Sequence, residues 1–272
     1  MYNNVLKENL KKRPVFGMTS YTHCVELIEA MGYYGLDFVF IDAEHTIVGA
    51  ENLEKCVMAA RGAGIAPIVR ITKPDEIQVR KYYEMGAEGI IVPHVKTKKD
   101  MEIINEGAKF PPLGRRGFDI HVRSAGRAAG FDFNPVAYID HCNDTELVIP
   151  MCEDFEFIDN MEEILSVGNI DAVNFGPADF AMSLNIRRFY DMTITEVNEG
   201  YKKLVDRCRP AGINIMNYVY PFDGDLNPTD SVKKAVESGC NMPILGNDLD
   251  LFKSTVSNSK IKVIDKVLEA YK

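Results

Sequence analysis

Three ionisable residues in four positions, Asp42, Glu44 and His45, follow directly after the apolar run 38–41. Apolar residues without a polar break are typical of a strand that is buried on both faces. Charged side chains are costly inside a core, so we expect this cluster to lie where the strand ends. Two carboxylates beside His45 can hold its tautomer and raise its basicity, which makes this histidine a candidate general base.

Polar side chains end other apolar runs in the same way. Arg70 follows one of them, and its planar fork suits the capture of a carboxylate or of a developing oxyanion. An ion pair with Asp42 or Glu44 is the alternative for Arg70, and both roles are compatible. His94 also ends an apolar run and is a second candidate for the base. Strand ends that share one pole form the catalytic face of a parallel barrel.

Glu153 and Asp179 end two consecutive predicted strands. Neighbouring parallel strands lie about 4.8 Å apart. Two carboxylates at that spacing repel each other unless a positive charge lies between them, and a divalent cation fits that place. Oxygen ligands favour Mg²⁺ or Mn²⁺ over zinc, with Co²⁺ as a further candidate. The alternative is two separate acidic loop residues that share no ion.

Eight strands that alternate with helices are needed to position these residues. Strands are predicted at residues 15–21, 38–45, 67–71, 89–95, 146–151, 172–175, 213–220 and 242–245. Helices are predicted at residues 2–12, 24–31, 51–61, 75–85, 98–108, 155–166, 194–209, 229–238 and from 249 to the C-terminus, with an interruption at 257–259. This alternation favours a (β/α)₈ TIM barrel with a short N-terminal helix. A doubly wound open sheet is the competing architecture, but no G-x-G-x-x-G motif follows the first strand.

Residues 109–144 interrupt the alternation with prolines, glycines and four arginines. A loop of this length is usually functional or disordered. After a barrel strand it would suit an active-site cover or a subunit contact, and a solvated excursion is the remaining alternative. No linker rich in Pro, Gly or Ser divides the chain, so we expect residues 1–272 to form a single domain.

The composition is that of a soluble globular protein. The 272 residues match one α/β barrel, which typically has about 250. A net charge of −9 argues against nucleic acid as the main partner. No apolar run approaches the roughly 20 residues of a membrane span, and the polar opening segment is unlike a signal peptide. Six cysteines without a C-x-x-C pair predict a reduced, cytoplasmic protein with free thiols.

Five contiguous segments carry recognisable motifs: residues 35–45 (GLDFVFIDAEH), 66–70 (APIVR), 86–93 (GAEGIIVP), 110–117 (FPPLGRRG) and 176–179 (GPAD). In this order they resemble motifs of the HpcH/HpaI aldolase/citrate lyase family. A weaker similarity continues at residues 237–239 and 245–248. The resemblance implies a TIM barrel of the phosphoenolpyruvate/pyruvate type and a class II, metal-dependent aldolase that acts on pyruvate or a related 2-oxo acid.

The resemblance also implies partners and residue roles. The partners are a small 2-oxo acid and an aldehyde, with no part for nucleic acid or a membrane, and the assembly is a homo-trimer or homo-hexamer. The metal ligands are Glu153 and Asp179, and the general base is His45. Arg70 binds the substrate and stabilises the enolate, and the substrate carboxylate is held at Ala178 and Asp179. Asp42 and Glu44 support these groups, with Glu44 ordering a water of the metal.

Two positions depart from the family pattern. Glu84 stands where the family has an aspartate that raises the basicity of the histidine, so the carboxylate is kept with one more methylene. Met151 stands where the family has a glutamine that binds the substrate. Met151 shares strand parity with Glu153 and should face the same side, yet a thioether cannot donate a hydrogen bond. The sequence therefore predicts either a less polar pocket or a substrate that differs from the usual ones of the family.

Two other functions remain open at the level of sequence. One is an acyl-CoA lyase of the citrate lyase or malyl-CoA type, in which the arginine-rich residues 115–127 would bind the CoA phosphates. The other is a barrel that binds a small acid without turning it over. A thioester assay separates the first from an aldolase, and the absence of metal-dependent turnover would indicate the second.

Overall fold

The computed structural model describes residues 3–129, 133–187, 194–219 and 229–271. In these ranges eight parallel strands close into a barrel in chain order, which confirms the predicted (β/α)₈ architecture. The strands are β1 Gly17–Ser20, β2 Phe38–Asp42, β3 Ala66–Arg70, β4 Gly89–Val92, β5 Leu147–Cys152, β6 Ala172–Phe175, β7 Asn214–Tyr218 and β8 Met242–Asn247. The helices are α1 Leu6–Leu10, α2 Val25–Tyr33, α3 Ala50–Gly62, α4 Glu76–Met85, α5 Lys98–Ala108, α6 Pro135–Thr145, α7 Phe155–Asp159, α8 Met161–Ser166, α9 Pro177–Ser183, α10 Thr195–Cys208, α11 Thr229–Glu237, α12 Asp248–Ser259 and α13 Asp265–Glu269.

The strands separate two apolar layers. On β2, Phe38 and Phe40 pack inside the barrel, whereas Val39 and Ile41 pack against the surrounding helices. Successive side chains of a strand point to opposite faces, and both faces are covered here. All of β2 is buried for this reason, which explains the unbroken apolar run in the sequence.

Helix α1 closes the amino end of the barrel. Leu6 and Leu10 pack with Phe38 and Leu147, which begin their strands. The backbone N–H of Leu6 donates to Oε1 of Glu88 at 2.7 Å. The predicted leading helix is thus present, and it leaves the carboxyl pole open for chemistry.

Strands β2 and β4 end three residues earlier than predicted, at Asp42 and Val92. On β2 the cause is the side chain of Asp42, which accepts hydrogen bonds from the backbone N–H groups of Glu44 and His45. An aspartate that bonds to the backbone two and three residues ahead turns the chain. Residues 43–45 therefore form a turn and not the end of a strand.

The interruption predicted at residues 109–144 contains a helix that the prediction missed. Asn134 accepts hydrogen bonds from two backbone N–H groups at the start of α6, and Pro135 occupies the first turn. An asparagine N-cap followed by proline is a helix-start signal that is present in the sequence. The Gly- and Pro-rich composition of the preceding residues favoured the prediction of a loop, so the helix was missed.

The same segment follows helix α5, in agreement with the helix predicted at residues 98–108. Arg123 pairs with Glu54 of α3 at 2.7 Å, and the N–H of Ser124 donates to the carbonyl of Glu84 in α4. Arg116 is buried against Glu146 and lies over the Phe110 ring. The described contacts of the segment are therefore with the outer helices and the start of β5.

Two smaller corrections concern helices. The predicted helix 155–166 is divided into α7 and α8 at Asn160. The interruption predicted at 257–259 is wrong, because α12 continues through Ser259 into a π-helical turn.

Among the described helices, none combines the length and apolar character that a bilayer span requires. The predicted elements also included Tyr2, Gly130, Tyr220 and Lys272, which lie outside the described residues.

Candidate active site

An arginine and two carboxylates form the first part of the site, at the carboxyl ends of β2 and β3. Asp42 and Arg70 are partners in the register of the two strands. Arg70 Nε donates to Asp42 Oδ1 at 2.7 Å, and Nη1 lies 3.0 Å from Glu44 Oε2. The guanidinium also lies over the Phe40 ring, 5.3 Å from its centroid. The ion pair predicted for Arg70 is thus present with both carboxylates.

The charge of Arg70 is secured by these partners. Burial by itself would lower the pKa of Arg70, but the hydrogen bond and the charge of Asp42, followed by the charge of Glu44, raise it well above its usual value. The guanidinium is therefore charged at any working pH and is held in one orientation, as electrostatic stabilisation of a developing anion requires.

Asp42 organises the turn that carries Glu44 and His45. Its carboxylate is fully buried, and it accepts from the backbone N–H groups of those two residues at 3.1 and 3.3 Å. Its carbonyl oxygen accepts from His23 Nε2 at 2.7 Å and from the Thr46 hydroxyl at 2.5 Å. His23 was not predicted, and its position in the sequence carries no signal that would separate it from the other histidines.

Glu44, His94 and Glu153 form the second part of the site. Each offers one ligand atom, and the three atoms lie within 4.8 Å of one another. The backbone N–H of His94 donates to Glu153 Oε1 at 2.8 Å. The His94 ring lies with Nε2 3.5 Å from Glu44 Oε1 and Nδ1 3.1 Å from Asp154 Oδ2. Glu44 therefore lies between Arg70 on one side and His94 on the other.

Negative charge is concentrated around Glu153. Burial raises the pKa of Glu153 to about 7, with Glu44 and Asp179 adding to the rise and the N–H and ring of His94 opposing it. Burial also raises the pKa of Glu44, against the effect of Arg70 and His94, and here Asp42 and Asp179 add to the rise. Buried carboxylates that disfavour each other's ionisation are relieved by a cation. This donor set fits a divalent metal ion.

The pKa of His94 is raised as well. Burial by itself would lower it, but the hydrogen bond to Asp154 and the charges of Glu153, Asp154 and Glu44 outweigh that effect.

The comparisons with known proteins identify the family of the chain. The sequence model of the HpcH/HpaI aldolase/citrate lyase family matches residues 19–254. The chain belongs to this family. The match covers all eight strands except the first two residues of β1, and it includes every residue that was predicted to take part in catalysis.

Two sequence relatives of the chain are aldolases. The 5-keto-4-deoxy-D-glucarate aldolase of Escherichia coli (strain K12) is 24% identical over 231 residues, which is 83% of each chain. The 2-dehydro-3,6-dideoxy-6-sulfogluconate aldolase of Pseudomonas putida is 30% identical over 153 residues, 56% of this chain and 58% of the relative. Family and relatives make the chain a carbon–carbon lyase, which removes the hypothesis of a non-catalytic binding barrel.

Two solved structures superpose over nearly the whole chain. The citrate synthase SbnG is 27% identical, with a TM-score of 0.82, and the match covers 96% of this chain and 98% of that one. An HpcH/HpaI aldolase from Desulfitobacterium hafniense DCB-2 is 25% identical, with a TM-score of 0.82 and coverage of 95% and 96%.

The remaining predicted site residues lie at different distances from this centre. The His45 ring is 58% exposed, with Nε2 3.7 Å from Glu44 Oε2. Ala178 and Asp179 lie in the first turn of α9 and not at the end of β6, which corrects the predicted position of Asp179. Met151 is buried with the barrel interior, on the face that parity predicted.

Among the predicted site residues, Glu84 has the fewest contacts with the rest of the site. Its carboxylate lies 3.9 Å from Arg80 Nε, one helical turn earlier in α4. Within the described residues, no hydrogen bond or ion pair joins Glu84 to His45. Its role in raising the basicity of the histidine stays a prediction. Asp154, in contrast, contacts His94 and was missed, although its place directly after Glu153 was a signal.

Proposed function

We propose that this protein is a metal-dependent aldolase that cleaves a 4-hydroxy-2-oxo acid to an aldehyde and pyruvate, or a related 2-oxo acid. The observation that carries the proposal is the position of Glu44, which pairs with the fixed, charged Arg70 and belongs to one cluster of ligand atoms with the buried carboxylate of Glu153. This pairing suits a reaction in which negative charge appears on the oxygen of a small keto acid.

Glu153 and Asp179 would hold the divalent cation, Mg²⁺ or Mn²⁺, with Glu44 close enough to take part. When bound, the cation supplies Lewis-acid polarisation of the keto group. Asp179 lies close enough to raise the pKa of both Glu44 and Glu153. The backbone at Ala178, in the first turn of α9, would donate to the substrate carboxylate, since the first N–H groups of a helix have no partner within it.

Each of the chain's own groups has a step to perform. Arg70 would stabilise the enolate left after carbon–carbon scission, because its charge is already oriented and needs no rearrangement. His45 would take the proton from the hydroxyl group at C4 of the substrate, and its exposed ring leaves it free to approach a bound acid. Met151 would contact the substrate with an apolar surface, which favours a less polar group at that point.

The test is the exchange of the methyl hydrogens of pyruvate in D₂O, measured by NMR with and without Mn²⁺ or Mg²⁺. Exchange reports enolate formation without knowledge of the natural aldehyde. We expect metal-dependent exchange in the wild type and a loss of about 100-fold or more in Glu153→Gln and Asp179→Asn, as is typical when electrostatic stabilisation is removed. Glu163→Gln, at an exposed carboxylate of α8, is the matched control and should exchange like the wild type. Exchange that is independent of metal, or that survives both site variants, would contradict the proposal.

A second candidate is carbon–carbon bond formation or cleavage with a CoA thioester, which the similarity to the citrate synthase SbnG favours. The arginines proposed to bind CoA phosphates are partly engaged elsewhere, since Arg116 is buried against Glu146 and Arg123 pairs with Glu54. Turnover of an acyl-CoA together with a 2-oxo acid, in the absence of any aldol cleavage, would favour this candidate over the aldolase.

We also propose that the protein is a homo-oligomer, a trimer or hexamer. Helices α12 and α13 carry exposed apolar side chains, among them Phe252 at 66% and Leu268 at 54% exposure. Large exposed apolar patches mark interaction surfaces. We expect Phe252→Glu and Leu268→Glu to lower the mass measured by light scattering after size exclusion. Tyr34→Glu, at an aromatic residue that directly follows α2 and is 91% exposed, should leave it unchanged. A wild-type monomer would contradict this proposal.

We propose two further properties of this protein, its domain organisation and its location. Residues 1–272 would form one domain, because strands from residue 17 to residue 247 close the same barrel. A reducing, cytoplasmic location is supported by the six free cysteines.

A further inference from the structure

His94 lies where the fold gives it a fixed orientation beside the proposed metal site. Its backbone has a φ of 54°, in the left-handed region, and its N–H donates to Glu153. Its ring nitrogen Nδ1 lies 3.1 Å from Asp154 Oδ2. An ionised carboxylate can only accept, so Nδ1 carries the proton of this hydrogen bond. In the neutral ring, the lone pair is then on Nε2.

That lone pair faces another acceptor. Nε2 lies 3.5 Å from Oε1 of Glu44, and Nδ1 lies 3.4 Å from Oε1 of Glu153. One nitrogen of the ring belongs to the same cluster of ligand atoms as the two carboxylates. Two acceptors at this separation need a proton or a cation between them. Ligands of one octahedral ion with bonds of about 2.1 Å lie about 3 Å apart when adjacent, so the separation is close to that of two ligands of one metal.

We propose that Nε2 of His94 is a ligand of the metal ion in this protein, with Asp154 as the residue that fixes its tautomer. The proposal rests on the metal site of the proposed function. A carboxylate that holds the far nitrogen of a metal-binding histidine is the usual support for such a ligand. Nitrogen ligands favour Co²⁺ and Mn²⁺ over Mg²⁺, which prefers oxygen. The site should therefore select a transition metal.

The competing role of His94 is an imidazolium ion that pairs with Glu44, Glu153 and Asp154. The two roles differ in a measurable way, because an imidazolium has no lone pair and repels a metal ion. Pulsed EPR of the Mn²⁺-loaded protein detects ¹⁴N nuclei bonded to the metal, and this readout is independent of turnover. It is also obtained on the wild type, so it does not depend on whether a variant folds.

The experiment combines this spectrum with calorimetric titration of the metal-free protein with Co²⁺ and with Mg²⁺. His94→Asn is the main variant, since asparagine tolerates the left-handed backbone. We expect the ¹⁴N signal in the wild type, its loss in His94→Asn, and its retention in His45→Asn, the matched control on the other side of Glu44. Co²⁺ affinity should fall by about 10- to 100-fold in His94→Asn and in Asp154→Asn, with a smaller change for Mg²⁺.

Three results would overturn the proposal: no ¹⁴N signal in the wild type, a signal that persists in His94→Asn, or an equal loss of Co²⁺ and Mg²⁺ affinity. These outcomes differ from a failure of the proposed function. Wild-type protein that binds Mn²⁺ through oxygen alone and still exchanges pyruvate hydrogens would remain an aldolase and would reject only the nitrogen ligand. Protein that binds no divalent ion would reject both.

Discussion

At residue 176 the backbone comes so close to Glu153 that only glycine fits. A Cβ atom there would lie 2.8 Å from Cβ of Glu153 and 3.1 Å from its Oε2, with Cε of Met151 at 3.4 Å. The constraint is one of space, because φ of Gly176 is −103°, which any residue adopts. The motif Gly-Pro-Ala-Asp thus begins with the residue that lets β6 approach the carboxylate at the end of β5.

Gly176→Ala should displace the Glu153 carboxylate and reduce metal-dependent exchange by about 100-fold, since misplacing a catalytic group by about 1 Å has an effect of that size. The matched control is Gly62→Ala, at an exposed helical position where an added Cβ meets nothing within 4 Å. Rates of pyruvate exchange, with the fold of each variant checked by circular dichroism, measure the difference. Equal activity in both variants would show that the contact does not position Glu153.

At the scale of elements, strand ends and the short helix α1 have separate tasks. The ends of β2, β3 and β5, with the turn after β4, bring the charged groups together at one pole. Helix α1 fills the opposite pole with Leu6 and Leu10, and Lys7 pairs with Asp171 at 2.7 Å. Stability and chemistry therefore occupy opposite ends of the barrel, as is usual for this architecture.

Leu6→Ala should lower the free energy of unfolding by about 2–5 kcal/mol, because the side chain is fully buried and leaves a cavity. Val5→Ala removes an exposed side chain on the preceding residue and should change it by about 0.5 kcal/mol or less. Denaturation in urea measures both. If the two variants lose equal stability, α1 does not seal the barrel in solution.

At the scale of the whole molecule, metal binding, protonation and stability are linked through Glu153. Its pKa of about 7 in the folded protein lies above the unfolded value of about 4.3. Its contribution to the stability of the metal-free protein is therefore fully present below the unfolded value and is lost as the pH rises through 7. A metal ligand must be ionised, so metal and proton compete for this carboxylate.

Saturating Mn²⁺ should consequently raise the melting temperature more at pH 8 than at pH 6. At a concentration of 100 times Kd the stabilisation is about 2.7 kcal/mol, which corresponds to a shift of about 5 °C or more. Differential scanning calorimetry at both pH values measures it, and Glu153→Gln should show neither the shift nor its pH dependence. A larger shift at pH 6 would contradict the assignment of Glu153 as the titrating ligand.

Much of the fold follows from local features of the sequence. Unbroken apolar runs predicted the strands because both faces of a parallel sheet are covered, and glycines after the helices marked most of their ends. Helix α6 was hidden in a Gly- and Pro-rich segment despite its Asn134 N-cap, which shows that composition alone is a poor guide where a capping signal is present. Strand ends were overestimated at β2 because the turn made by Asp42 depends on side-chain hydrogen bonds to the backbone.

The sequence by itself determined the barrel, the family and the residue types at the catalytic pole, because each of these is encoded in short contiguous segments. Only the tertiary structure decided how those segments meet: that Glu44 lies between Arg70 and His94, and that Asp154 holds the far side of the His94 ring. The residues of each contact come from different strand ends, and their separations depend on the closure and register of the barrel, which no local pattern specifies.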